Sequence, residues 1–206
     1  MVKPPPAPKS PRTSRDQAIA RFLETTINLL DTRTVSEITI EEIATAAGLN
    51  HGYVFRYFGT RLDLLVAVTD ELADRALLAV RTEMDRRVAE GVVTPPGDLS
   101  LIGLGRPFTL KRTFLVQYLV SCGVPAERFG PKAREMIQTS VDTLLQLGLS
   151  LRMAQAQAIK VSVMLWAQVS LAAQMGVSSE EAGDLFFLTV DELNHPQESE
   201  KRLGWA

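Results

Sequence analysis

Apolar residues recur every three or four positions along most of the chain, a spacing that predicts helices. The first run starts at Ser14 and extends to about Thr32, with Ile19, Phe22, Leu23, Ile27 and Leu30 on one face. A short second run, Ile40, Ile43, Ala44 and Ala47, stops at Gly48, where glycine accepts the positive φ of a sharp turn. A third covers His51 to Phe58, with Phe55 and Phe58 spaced to hold it against its neighbours. A long run follows over residues 61–90, carrying Leu65, Val68, Leu72, Ala76, Val80 and Met84 in register. Further helices are predicted near residues 108–122, 132–147, 153–175 and 179–193. Gly91, Pro95, Pro96, Gly97, Gly103, Gly105 and Pro107 mark the interval before residue 108 as loop. No stretch alternates with the period of a strand, and no internal repeat or heptad run is visible. The fold class is all-α.

Polar residues punctuate this pattern where helices should begin. Thr39 caps the second helix, with Glu42 three residues on closing a capping box, and Ser178 with Glu181 repeats the arrangement. Asn50 caps the third helix, and Thr60, with Asp63 behind it, caps the fourth. Two short helices around a glycine turn form a helix-turn-helix, whose second helix presents its N-terminal side chains to base edges in the major groove. Here those residues are His51, Gly52, Tyr53 and Arg56, after the cap Asn50. An arginine in this position binds guanine bidentately or clamps a phosphate, and sequence does not choose between them. Tyr53 offers a hydroxyl to phosphate and a ring edge to a thymine methyl, while Gly52 lets backbone approach the DNA. Thr39, Tyr57, Thr60 and Arg61 are candidate phosphate contacts, since hydroxyls, arginines and helix N-termini fix register on a duplex.

Charge adds a modest argument in the same direction. The net charge is only −2, yet residues 1–61 hold eight Lys/Arg against six Asp/Glu. Residues 1–13 carry five prolines with Lys3, Lys9 and Arg12, the composition of a disordered basic arm. The chain therefore divides into an arm (1–13), a helix-turn-helix head (14–60), a larger helical body (61–195) and a C-terminal tail (196–206).

Several functions are excluded. His51 and His195 lie in different regions, and neither belongs to a cluster at metal-ligand spacing. There is no phosphate-binding glycine loop after a strand and no nucleophile motif with partners, so neither an enzyme nor a cofactor is expected. The single Cys122 excludes an intramolecular disulfide and reads as a small buried hydrophobe in a cytoplasmic protein. The 19 uncharged residues between Lys160 and Glu180 include Ser162, Gln168, Ser170 and Gln174, and suit a buried soluble helix better than a membrane span. The N-terminus MVKPPPAPKSPR has no apolar run, so no secretory signal is expected.

Residues 14–70 resemble the DNA-binding head of the tetracycline-repressor (TetR) family of bacterial transcription regulators. The resemblance rests on Thr39-Ile40 with Ile43-Ala44, on Ala47-Gly48-Leu49, on Tyr57-Phe58, and on Leu62 with Leu64-Leu65. It implies an all-α homodimer whose heads read a palindromic double-stranded DNA operator. The body would bind a small molecule and dimerise, and the ligand would release the DNA, the long helix from Leu62 carrying the movement. Two positions depart from the family pattern. Phe55 stands where a phosphate-contacting tyrosine is common, and Thr60-Arg61 replaces the usual Ser-Lys while keeping a cap and a cation.

Within the body, the helix over 153–175 is apolar or small nearly all round, from Ala158, Ile159, Val161, Val163 and Leu165 to Trp166, Ala167, Val169, Leu171 and Ala172. A helix with so little polar face is buried on more than one side, which a dimer interface would satisfy. Leu185, Phe186, Leu188 and Leu193 of the last helix would complete that interface. Candidate ligand contacts are the aromatic and Met side chains of the middle helices: Met84, Phe108, Phe114, Tyr118, Phe129, Met136, Met164 and Trp166. Gln117 and Gln168 would orient a polar group, and the mostly apolar set suits a largely apolar ligand. Two other readings share these features: an activator using the same contacts, and an all-α ligand-binding protein whose head binds DNA weakly or not at all.

Overall fold

The computed structural model describes residues 14–93, 100–171 and 176–178, with residues 181, 201 and 204. Seven α-helices are present among the described residues. In chain order they are α1 Arg15–Leu29, α2 Ile40–Ala47, α3 Gly52–Tyr57, α4 Arg61–Ala89, α5 Ser100–Ser121, α6 Gly130–Gln146 and α7 Leu151–Leu171. Short 3-10 turns, Val35–Glu37 and Ala126–Phe129, precede α2 and α6. The chain divides into two units, Met1–Ala67 and Val68–Ala206.

In the first unit, Ser14 and Gln17 form a complete capping box that starts α1. Buried Phe22, Ile27, Ile43, Ala44, Val54, Leu64 and Leu65 make its core. Phe58 meets Phe22 edge-on, with ring centroids 6.2 Å apart. The pairing of Phe55 with Phe58 as core residues is corrected here: Phe55 is 52% exposed, and Val54 holds α3 instead. Burial in so short a helix is set by one inward position, which the backbone gives to Val54.

In the second unit, α6 and α7 form an antiparallel hairpin. Gly148, at φ 88°, ends α6, and its turn is closed by the Leu149 N–H donating to the Leu144 carbonyl at 3.2 Å. Val141, Leu144, Met153, Ala154, Ala158, Val161 and Leu165 pack between the two helices. The expected loop up to residue 107 is also corrected, since α5 starts at Ser100 and contains Gly103, Gly105 and Pro107. A Cβ on Gly105 would stand 3.1 Å from the Ala76 carbonyl, so the glycine serves close helix packing rather than a turn. Cys122, expected to be buried, is exposed just past the end of α5. The arm, and all but isolated residues of the last helix and the tail, lie outside the described residues, including Leu185, Phe186, Leu188 and Leu193. Ser178 and Glu181 do form the expected reciprocal cap, at 2.8 and 3.2 Å.

Candidate nucleic-acid interface and ligand cavity

The turn between α2 and α3 is built from backbone requirements. The Thr39 hydroxyl accepts from the Glu42 N–H at 3.2 Å, starting α2. The Glu42 carboxylate does not return to close the box; Arg33 takes it at 2.7 Å. Gly48 adopts the left-handed φ of 63° and ends α2. The Asn50 side chain then accepts from the Gly52 N–H at 2.8 Å and opens α3. A Cβ on Gly52 would lie 3.0 Å from that same Asn50 oxygen, so a larger residue there would press on the cap.

With Val54 inward, α3 presents Tyr53, Phe55 and Arg56 outward, and Asn50, His51 and Gly52 are exposed at its start. The rings of Tyr53 and Tyr57 stack at 5.5 Å and 6°. Two guanidiniums flank Tyr57: Arg56 at 5.9 Å from the ring centroid and Arg15, from the start of α1, at 6.0 Å. Arg15 escaped sequence reasoning because nothing local links it to a residue more than forty positions away.

The remaining candidates divide by what already occupies them. Thr39 is exposed, though its hydroxyl caps α2. The Thr60 hydroxyl donates to the Asp63 carboxylate at 2.7 Å and accepts from the Asp63 N–H at 3.1 Å. Arg61 turns into its own unit, where Nε donates to the Ile38 carbonyl at 3.0 Å and Nη2 to that of Val35. Arg61 thus ties the 3-10 turn to α4.

The second unit contains a cavity of about 90 Å³ between α4, α5, α6 and α7. Of the ten ligand candidates, Met136 lines it. Met84, Phe108, Phe114, Gln117, Tyr118, Phe129, Met164, Trp166 and Gln168 do not, and Phe114 and Trp166 are exposed. The lining is aliphatic, including Leu77, Val80, Leu101, Val161 and Leu165, with hydroxyls interspersed. Four of the five hydroxyl residues, Thr109, Ser140, Thr143 and Ser162, donate to the carbonyls of Gly105, Met136, Thr139 and Ala158 at 2.8–3.0 Å. With their protons used, they offer lone pairs to a ligand, not donors. The small residues Gly105 and Thr109 on α5 and Thr139, Ser140 and Thr143 on α6 were the available signal; a search for large side chains passes over them.

A charged cluster also belongs to this unit. Burial pushes the Asp70 carboxyl up, against the opposing pull of Arg112 and Lys132. Burial likewise pushes the Arg112 guanidinium down, with Asp70 resisting.

Comparison with known proteins places this architecture. Residues 22–68 match the model of bacterial regulatory proteins of the tetR family. The chain is 28% identical over 183 residues to the HTH-type transcriptional repressor Rv3405c of Mycobacterium tuberculosis, covering 87% of this chain and 88% of that protein. The HTH-type transcriptional regulator Mb3439c of Mycobacterium bovis matches to the same extent. In fold, the chain resembles a crystal structure of a putative TetR-family transcriptional regulator from Rhodococcus sp., with TM-score 0.58, 17% identity, and 86% and 98% of the two chains covered. A TetR transcriptional regulator from Rhodococcus sp. RHA1 gives TM-score 0.56 at 18% identity, with 87% and 97% covered.

Proposed function

Since the chain belongs to the TetR family of bacterial regulatory proteins and is a DNA-binding transcriptional regulator, we propose that it is a homodimeric, cytoplasmic repressor released from a palindromic operator by a small, largely apolar ligand. The observation carrying the DNA part is α3 itself: one buried valine below, and Tyr53, Phe55 and Arg56 outward beside Arg15. His51, Gly52 and Arg56 would face base edges, while Tyr53, Tyr57 and Arg15 would face phosphates. Thr39, Asn50, Thr60 and Arg61 would act chiefly by fixing the helices that carry them. In a dimer two such helices would stand about 34–36 Å apart, one turn of the duplex.

The dimer reading is supported by α7, whose one face lies in the core while Ile159, Val163 and Trp166 on the other are exposed. These residues are four and three positions apart, hence one stripe. The ligand reading is supported by the apolar cavity. To take an operator from nearly all bound to nearly all free, a ligand must favour the released state by about 5.5 kcal/mol. Among the described residues no helix is long and apolar enough to cross a membrane.

One observation favours a second reading, a ligand-binding protein with a weak head: residues 14–67 carry five arginines against seven carboxylates. Fluorescence anisotropy against tiled DNA from upstream of the coding region, at two salt concentrations, separates the two. A regulator binds one tile above its neighbours and loses affinity with salt. Equal, weak binding to every tile supports the second reading. Arg56→Ala should weaken the specific complex by about 1–3 kcal/mol if it reads a base, and unchanged affinity would remove it from the readout.

A further inference from the structure

Each cavity hydroxyl that bonds back to its own helix does so to a carbonyl whose residue also lines the cavity. On α5 the pair is Thr109 with Gly105; on α6 the pairs are Ser140 with Met136 and Thr143 with Thr139; on α7 it is Ser162 with Ala158. Residues four apart lie one above the other on a helix face, so each of these bonds runs lengthwise along the strip that faces the cavity. Three of the four helices around the cavity thus lay hydroxyl oxygens along it. The fifth hydroxyl residue of the wall, Thr139, makes no side-chain hydrogen bond among the described residues.

The direction of these bonds decides what the wall can recognise. A carbonyl oxygen only accepts, so each back-bonded hydroxyl has given its one proton and keeps lone pairs. The side chains of the wall therefore present four acceptors and, at Thr139, one hydroxyl able to donate. Among the described residues no charged side chain lines the cavity, and a charge placed there without a partner is strongly penalised. A ketone or ester, which only accepts, has use for Thr139 alone. A hydroxyl accepts and donates at once, so it suits both parts of the wall. Back-bonded Ser and Thr slightly destabilise helices, so four of them around one cavity point to a ligand rather than to the fold.

We propose that the ligand of this regulator is a short aliphatic alcohol. Its chain lies against Leu77, Leu101, Val161 and Leu165, and its hydroxyl donates to one of the back-bonded oxygens while accepting from Thr139. This rests on the ligand-responsive reading given above. The cavity, at about 90 Å³, is smaller than the ~150 Å³ cavity known to hold a benzene ring, which favours a slim chain of a few carbons over a ring.

Methyl-region NMR titrations of the full chain with 1-pentanol and 2-pentanone test this, because the Leu and Val methyls of the wall report where each compound binds. Pentanoate and pentylammonium are the charged controls. 1-Pentanol should bind tighter than the ketone, and neither ion should shift the wall methyl signals at the same concentration. The two neutral compounds differ in hydration, so the decisive quantity is how their affinity ratio changes when the hydroxyls are removed. In the combined variant Thr109→Val, Ser140→Ala, Thr143→Val and Ser162→Ala the ratio should fall about fivefold, the worth of one neutral hydrogen bond, while the ketone still binds. Circular dichroism checks that its helices remain; should it unfold, the four single variants are titrated instead, and at least one must lower the ratio. A ratio unchanged in the combined variant, or in all four single ones, overturns the proposal. So does the ketone or either ion binding as tightly as the alcohol, or no shift of the wall signals by 1-pentanol up to its solubility. The same preparations are titrated with the tiled DNA. Specific DNA binding without alcohol binding sinks this proposal alone, whereas alcohol binding in the cavity without DNA binding sinks the regulator reading and leaves the alcohol site standing.

Discussion

Val54→Ala tests how the recognition helix is held. Val54 is the one buried residue of the six that form α3. Isolated helices shorter than about 12–15 residues are marginal in water, so α3 depends on that anchor. The substitution removes two methyl groups at ~0.8 kcal/mol each, and the cavity left behind brings the loss to about 2 kcal/mol. A change of that size multiplies a local opening equilibrium roughly 30-fold. Hydrogen exchange should report it at the amides of Phe58 and Gly59, which donate to the Val54 and Phe55 carbonyls at 2.9 and 3.1 Å. Both should exchange about 30-fold faster if the opening is local. Amides in the α6–α7 hairpin should be unaffected. Operator affinity should fall only by the fraction of molecules whose α3 is open, and so by less than the exchange rates rise. Unchanged exchange at these two amides, with a lowered unfolding midpoint, would refute the idea that Val54 holds α3 locally.

Gly48→Ala should destabilise the protein by about 1–2 kcal/mol in urea titration, the cost of the left-handed conformation for a residue with a Cβ. A Cβ there would meet only the tip of Arg21, at 3.4 Å, so crowding adds little. Gly48→Asn should cost less, and equal losses would place the cost outside the backbone. Phe55→Tyr adds a hydroxyl on a half-exposed ring, so stability should stay within about 0.5 kcal/mol. Operator binding should tighten by about 0.5–1.5 kcal/mol through one new phosphate bond, and a weakened complex would place Phe55 away from the DNA backbone.

What was legible in the sequence was local. Thr39, Gly48, Asn50 and Thr60 act on backbone groups within five residues, and each does so as its type and spacing imply. Glu42 illustrates the limit: the half of its capping box made by backbone is present, while its carboxylate goes to Arg33, nine residues back. Phe55 shows the same limit from the other side, since a hydrophobic residue in a short helix is inward or outward according to which turn the helix enters. The start of α5 was hidden because Gly103, Gly105 and Pro107 weigh against a helix by propensity. Packing of Gly105 on Ala76 outweighs that preference. The cavity was hidden for a related reason: among its aliphatic walls stand small hydroxyl residues bonded to their own helices, which look neither like core nor like site.

Electrostatics gives the head its last testable quantity. Of the five arginines in residues 14–67, Arg33 is paired with Glu37 and Glu42, and Arg61 donates to backbone carbonyls. That leaves Arg15 and Arg56 at the rim of Tyr57, and Arg21 beside the turn at Gly48, to meet phosphates. The Tyr57 ring matters here because it holds cations from two helices at one edge, so that local charge is positive although the head as a whole is not. Each phosphate neutralised contributes about −0.9 to the slope of log affinity against log salt, so three cations per protomer give a dimer a slope of roughly −5. If Lys3, Lys9 and Arg12 of the proline-rich arm engaged as well, the slope would approach roughly −11. Removing residues 1–13 should therefore leave the slope unchanged if the head alone meets the backbone, and halve it if the arm takes part. A slope near zero in both forms would refute the interface built on Arg15, Arg21 and Arg56.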